Sequence, residues 1–148
     1  MITLIVRTTL NPTENIEIIE KALNLLYPFE AFETSEPNSR GQIYISAQAT
    51  GPNALQFLFS QARRQRIVQA LHNYVIDIMN LDRNEATFMI NKQALTQKYL
   101  SLCTEPEESP LGPIFVTIKA DNIDRVINYL FPETENGKVL EVNYKPAE

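Results

Sequence analysis

The chain has 148 residues, 44% of them apolar and 21% charged, with a formal net charge of −5. That length is one ordinary domain, able to bury roughly 68–70% of the surface its unfolded form exposes, and the composition excludes a disordered or fibrous class. A pI near 5.0 argues against sticky, surface-wide nucleic-acid binding, and no apolar run approaches the ~18 residues a membrane span needs.

Ile2 to Leu10 alternates apolar and polar residues and predicts a strand packed on one side. The run "NPTEN" stops it. Thr13 is placed to cap a helix that carries Glu14 and Glu17 in its first turn and Ile16, Ile19, Leu23 and Leu26 at helical spacing, closed by Pro28. A short strand around Glu30 to Thr34, the polar loop "SEPNSRG" and the alternating "QIYISAQAT" predict a hairpin. Gly51-Pro52-Asn53 starts a helix through "NALQFLFSQ". Helical spacing resumes at Ile67, Leu71, Tyr74, Val75 and Ile78, with "ARRQR" at the junction.

"EATFMIN" predicts the next strand. The segment "KQALTQKYLSLC" fits both a short helix and a turn followed by a strand, and we take the turn and strand. "TEPEESPLGP" is a loop, Ile114 to Lys119 a strand, and Asp121 a cap for the helix "NIDRVINYLF". "ENGK" turns into a last short strand, "VLEV", and the tail from about 143 is expected to fray. Both ends of the chain run strand, polar cap, amphipathic helix, aromatic plus proline, strand. This weak repeat suits a single α+β domain over residues 1–148, a mostly antiparallel sheet with helices on one face. The other face must be solvated, bind something or meet a second subunit.

Charge is uneven along the chain. Residues 1–58 carry three basic and six acidic side chains and residues 100–148 four and nine, whereas residues 59–99 hold six basic against three acidic. A local field, not net charge, attracts an anion, so the middle third is where one is expected to bind.

The run Asn91-Lys92-Gln93-Ala94 after a strand, "SPLGPIFVTI" entering another, the early "NPTE" and "LFPET" followed by glycine resemble an archaeal family of uncharacterised conserved proteins (UPF series, family 0201). Its members are described as predicted RNA-binding or exosome-associated. The resemblance runs from the first strand to Val142 and implies homodimers and a fold similar to the large-subunit ribosomal protein that holds 5S rRNA. The chain departs from the family pattern at "LTQKYLSL", a segment where members carry a glycine.

Two surfaces are candidates for RNA. The first is Arg63, Arg64 and Arg66, whose planar forks suit phosphate; on a helix Arg63 and Arg66 share a face and Arg64 points about 100° away. The bland alternative is a solvated helix turn. The second is Asn91, Lys92 and Gln93, with Lys92 meeting phosphate and the amides reading bases or sugar hydroxyls, against a purely structural role in a turn. Lys98 is a further phosphate candidate. Tyr74 and Tyr99 are expected in the core, with base stacking as the alternative.

Catalytic and metal readings find little support. His72 is the single histidine, Cys103 the single cysteine and expected to be buried, the four glycines form no phosphate-cradling loop, and Glu105, Glu107 and Glu108 read as a solvated acidic loop. The expectation is a cytoplasmic, non-catalytic protein without cofactor or metal. It contacts RNA phosphates through the central basic segment as a homodimer, in association with an RNA-processing complex. The competing expectation is a protein-interaction or assembly module without a nucleic-acid ligand.

Overall fold

The structure is a computed structural model and describes residues 1–146. Alternation in the sequence translates directly into a six-stranded, fully antiparallel sheet. It is built from β1 (Thr3–Leu10), β2 (Glu33–Thr34), β3 (Ile43–Thr50), β4 (Glu85–Ile90), β5 (Leu102–Cys103) and β6 (Ile114–Lys119), in the order β2-β3-β1-β6-β4-β5. β1 and β6, the leading strands of the two repeat-like halves, pair in the centre with Val6 opposite Val116. Rows such as Ala49–Leu4–Ile118–Ala86 and Ala47–Val6–Val116–Phe88 cross the sheet on one face, all buried. Strand residues one position away line the opposite face, which no helix among the described residues covers.

Five α-helices supply the other layer: α1 (Ile16–Leu26), α2 (Gln56–Arg64), α3 (Val68–Ile78), α4 (Lys92–Thr96) and α5 (Ile123–Leu130). Their apolar stripes complete the core. Ile19, Leu23 and Leu26 of α1, Leu58 and Ala62 of α2, Leu71 and Val75 of α3 and Ile123, Val126, Ile127 and Leu130 of α5 are all buried. Pro52–Leu55 forms a 3₁₀ turn leading into α2, as the Gly51-Pro52 signal predicts. Phe131, at the end of α5, is fully buried edge-on to Phe88, and its carbonyl accepts His72 Nδ1 at 2.7 Å.

Several local expectations are corrected. Asn15, not Thr13, caps α1 by accepting Glu17 N–H at 2.8 Å, because Asn11 to Glu14 closes a turn before the helix begins. Asp121 does not cap α5; its carboxylate takes the N-terminal amino group at 3.0 Å, and Asn122 sits at the cap without a side-chain bond. Residues 92–103 contain both readings of that segment, a five-residue helix and then a two-residue strand. The "ENGK" turn forms through Asn136 and Gly137, both at positive φ, but its strands β7 (Thr134–Glu135) and β8 (Lys138–Val139) make a separate two-stranded sheet. In the tail, Tyr144 donates to the Arg125 carbonyl and stacks under its guanidinium, and Pro146 is buried.

Phe131 should carry a large share of the packing. Phe131→Ala is expected to lower unfolding free energy by about 3–5 kcal/mol in denaturant titrations; a loss below about 1 kcal/mol would show that the α5 end is not anchored there.

Candidate nucleic-acid interface

The motif "INKQA" folds into a lock. Asn91 is the N-cap of α4, accepting Ala94 N–H at 2.8 Å through Oδ1, while its Nδ2 donates to the Glu108 carbonyl. Gln93 Oε1 lies 3.1 Å from Ser109 Oγ, which also accepts Lys92 N–H. Lys92 itself is fully buried. Its ammonium donates to Thr9 O at 2.6 Å, Leu111 O at 2.8 Å and Glu14 Oε1 at 2.9 Å. An ammonium has three protons, and all three are used. Lys92 therefore has nothing left to offer a phosphate; the expectation that it meets RNA is corrected, because burial would leave its charge unsolvated without these partners. Glu14, expected merely to favour the helix dipole, is the counter-ion and also accepts both Asn11 N–H and Asn11 Nδ2.

The three arginines separate. Arg63 turns inward: Nε and Nη2 hold Glu141 at 2.8 Å each, Nη1 donates to Phe59 O and Leu130 O, and the guanidinium lies 3.4 Å from the Phe59 ring centroid. These bonds keep the Glu141 carboxyl below its ordinary pKa; the hydrogen bonds from Arg63 are the main cause, opposed by partial burial. Arg63 is a tether between α2, α5 and the tail.

Arg64 and Arg66 are exposed. The expected alignment of Arg66 with Arg63 on one helical face does not arise, because α2 ends at Arg64 and Arg66 has φ 60°. Arg66 N–H bonds to Arg63 O and Ile67 N–H to Ala62 O, the paired reversed bonds that close a helix through a left-handed residue. The end of α4 repeats this geometry. Lys98 has φ 63°, its N–H bonds to Leu95 O, and Tyr99 N–H to Ala94 O. Glycine is the usual occupant of such a position, since any Cβ there is strained. Here both corners carry an exposed cation.

Two glutamines join the corners. Gln65 accepts Leu100 N–H at 2.8 Å and donates to Leu100 O at 2.7 Å; Gln61 Nε2 reaches Lys98 O at 3.4 Å, while its Oε1 accepts Arg64 Nη1 at 3.1 Å. The ends of α2 and α4 are thus joined, and Arg64, Arg66, Lys98 and Tyr99 are exposed on the segments that meet there. Tyr99, expected in the core, is 54% exposed there because the corner turns it outward while Leu100 takes the buried place. Tyr74 is half-buried against the core. Arg66 and Lys98 have no side-chain partner among the described residues. Sequence reasoning missed the glutamine clamp, whose signal is two glutamines four apart, one on α2 and one at its C-cap.

A match to a family model described as RNA binding covers residues 3–120. The chain belongs to the UPF0201 family. A UPF0201 protein of Sulfurisphaera tokodaii is 32% identical across all of this chain and 99% of its own length, and one of Pyrobaculum calidifontis is 38% identical over 86% of this chain and 87% of its own. A crystal structure of a UPF0201 protein from Methanococcus jannaschii shares the fold with a TM-score of 0.78 at 22% identity, covering 94% of this chain and 99% of that one. Among the described residues no helix is long and apolar enough to cross a membrane, and no group of three or more histidine, cysteine, aspartate or glutamate side chains is placed to hold a metal. Cys103 is buried, and burial, reinforced by the Glu108 charge, raises its thiol pKa above the ordinary value.

Removing one partner of the Lys92–Glu14 pair strands the other. Lys92→Met is expected to destabilise by about 3–5 kcal/mol in equilibrium unfolding. Pairing it with Glu14→Met should recover part of that loss, the Thr9 and Leu111 carbonyls keeping the recovery incomplete. Additive losses would show that the two charges do not act as a pair.

Proposed function

We propose that this chain binds RNA without catalysing a reaction on it, and that its contact edge is Arg64, Arg66, Lys98 and Tyr99. The observation that carries this reading is the pair of helix-ending corners that hold a cation in the left-handed conformation. A left-handed backbone disfavours Arg and Lys by roughly 1 kcal/mol each relative to glycine, and strain kept at an exposed position points to use of the side chain. Family membership supports RNA as the ligand class. Arginine and lysine neutralise phosphates, and an exposed tyrosine beside them stacks on an unpaired base, which favours single-stranded or looped RNA over a duplex. Asn91, Lys92, Gln93 and Arg63, sequence candidates for the same role, act behind the edge by fixing α4 and α2.

Function and stability should therefore move in opposite directions. Arg66→Gly with Lys98→Gly is expected to raise the thermal midpoint by a few degrees while weakening single-stranded RNA binding and lowering the log–log salt slope by about 1.4, two phosphates at about 0.7 each. Fluorescence anisotropy across a salt series reads this. A wild-type protein that fails to bind single-stranded or looped RNA at low salt sinks the proposal.

We further propose that two copies associate through the open sheet face. Tyr44 on that face is 56% exposed, and Ile5, Met89 and Phe115 lie in the same layer, Phe115 beneath the Arg7 guanidinium. A second copy would cover this face and present the cationic edge twice, raising avidity. Sedimentation should show a dimer that Tyr44→Glu shifts towards monomer; a wild-type monomer at high concentration rules the association out.

A further inference from the structure

The Arg66 corner faces a second feature. A cleft of about 640 Å³ lies between the α2–α3 junction and the β7–β8 hairpin, lined by the polar residues Arg63, Arg66, Gln69, Thr134 and Lys138 together with Gly137, Val68 and Val139. Arg66, Gln69 and Lys138 are exposed, and neither cation has a side-chain partner among the described residues. The acidic groups nearby are Glu141, already bound by Arg63, and Glu135, opposite Lys138 in the hairpin register. Thr134 Oγ1 adds an independent observation: it is a buried side-chain polar atom with no hydrogen-bond partner among the described residues. A buried hydroxyl in that state destabilises the fold unless something from outside completes it. The hairpin that carries it has two residues per strand and forms a sheet of its own, so few backbone bonds hold it against the cleft that Thr134 lines.

We propose that this cleft is a phosphate site in which Arg66 and Lys138 hold a phosphodiester of the bound strand and the Thr134 hydroxyl donates to one of its oxygens. This extends the RNA reading and rests on it for the source of the phosphate; the strand would run from Tyr99 and Lys98 across the end of α2 to the hairpin. The chemistry of the cleft is that of a phosphate ester, whether in a strand or free.

The test combines two probes. In anisotropy with a single-stranded RNA, Lys138→Gln and Thr134→Val should each weaken binding severalfold, and Lys138→Gln should lower the salt slope by about 0.7. Thr134→Ser should bind as the wild type does. Thr134→Val should also raise the ligand-free thermal midpoint by roughly 2–4 °C, since it removes an unpaired buried hydroxyl; a purely structural role would not give higher stability with weaker binding. If RNA binds and neither variant changes it, the cleft proposal is overturned while the edge of Arg64, Arg66, Lys98 and Tyr99 stands. In the second arm, inorganic phosphate is titrated against the isotope-labelled protein. Shifts of the Thr134, Gly137 and Gln69 amide signals that Lys138→Gln abolishes support the phosphate site even where the wild type binds no RNA, and in that case overturn RNA as its source. A protein that neither binds RNA nor shows amide shifts overturns both.

Discussion

A buried ammonium imposes the tightest condition in the molecule. Lys92 enters the core with its charge, and removal from water is tolerable only if each proton finds an acceptor and the charge a counter-ion. Those partners come from the end of β1, the turn before α1 and the loop before β6. Segments 78 to 83 residues apart in sequence, with a third 19 residues away, must therefore converge on one nitrogen. α4 has only five residues and little intrinsic stability as a helix. Its position is set by Lys92 and Leu95 on its buried side and by the Asn91 cap.

Anchoring α4 also anchors the chain that leaves it. The backbone exits through the Lys98 corner, and Gln65 then holds both backbone groups of Leu100. This ties α4 to α2 and puts two equivalent helix ends side by side. The cationic edge is thus built from the inside: the core lysine never touches the surface, yet it determines where Lys98 and Tyr99 stand. A rigid support of this kind limits the side-chain and loop ordering that would otherwise oppose binding.

The central strands, their inward rows and the helices α1, α2, α3 and α5 arise from period-2 and period-3.6 patterns that the sequence displays openly, whereas the five-residue α4 does not; β1, β4 and β6 are legible within a residue or two. The site is legible only in part. Three arginines in "ARRQR" look equivalent as letters, but helix termination after Arg64 gives them three different fates, and Glu141, which captures Arg63, lies 78 positions away. Lys92 misleads for the opposite reason: lysine in a motif suggests an exposed cation, and nothing local reveals that Glu14 and two carbonyls await it. Tyr99 shows the same limit, since the corner that turns it outward depends on a left-handed Lys98 where a glycine would have announced the turn. Thr13 and Asp121 fail more simply, each displaced as a cap by a neighbouring asparagine.

Net charge and local charge come apart here for a structural reason. The chain carries five more acidic than basic side chains, yet its acidic groups are spent unevenly: Glu14 is buried on Lys92, Glu141 is held by Arg63, Glu85 lies between Arg83 and Lys119, and Glu108 folds back on the Glu105 and Thr104 amides, which lower its pKa. None of these opposes Arg64, Arg66 or Lys98. An anion approaching that edge would meet cations that none of these four carboxylates neutralises. A net negative charge disfavours indiscriminate adhesion to nucleic acid, and an uneven local distribution is the means by which such a chain could still orient an anion.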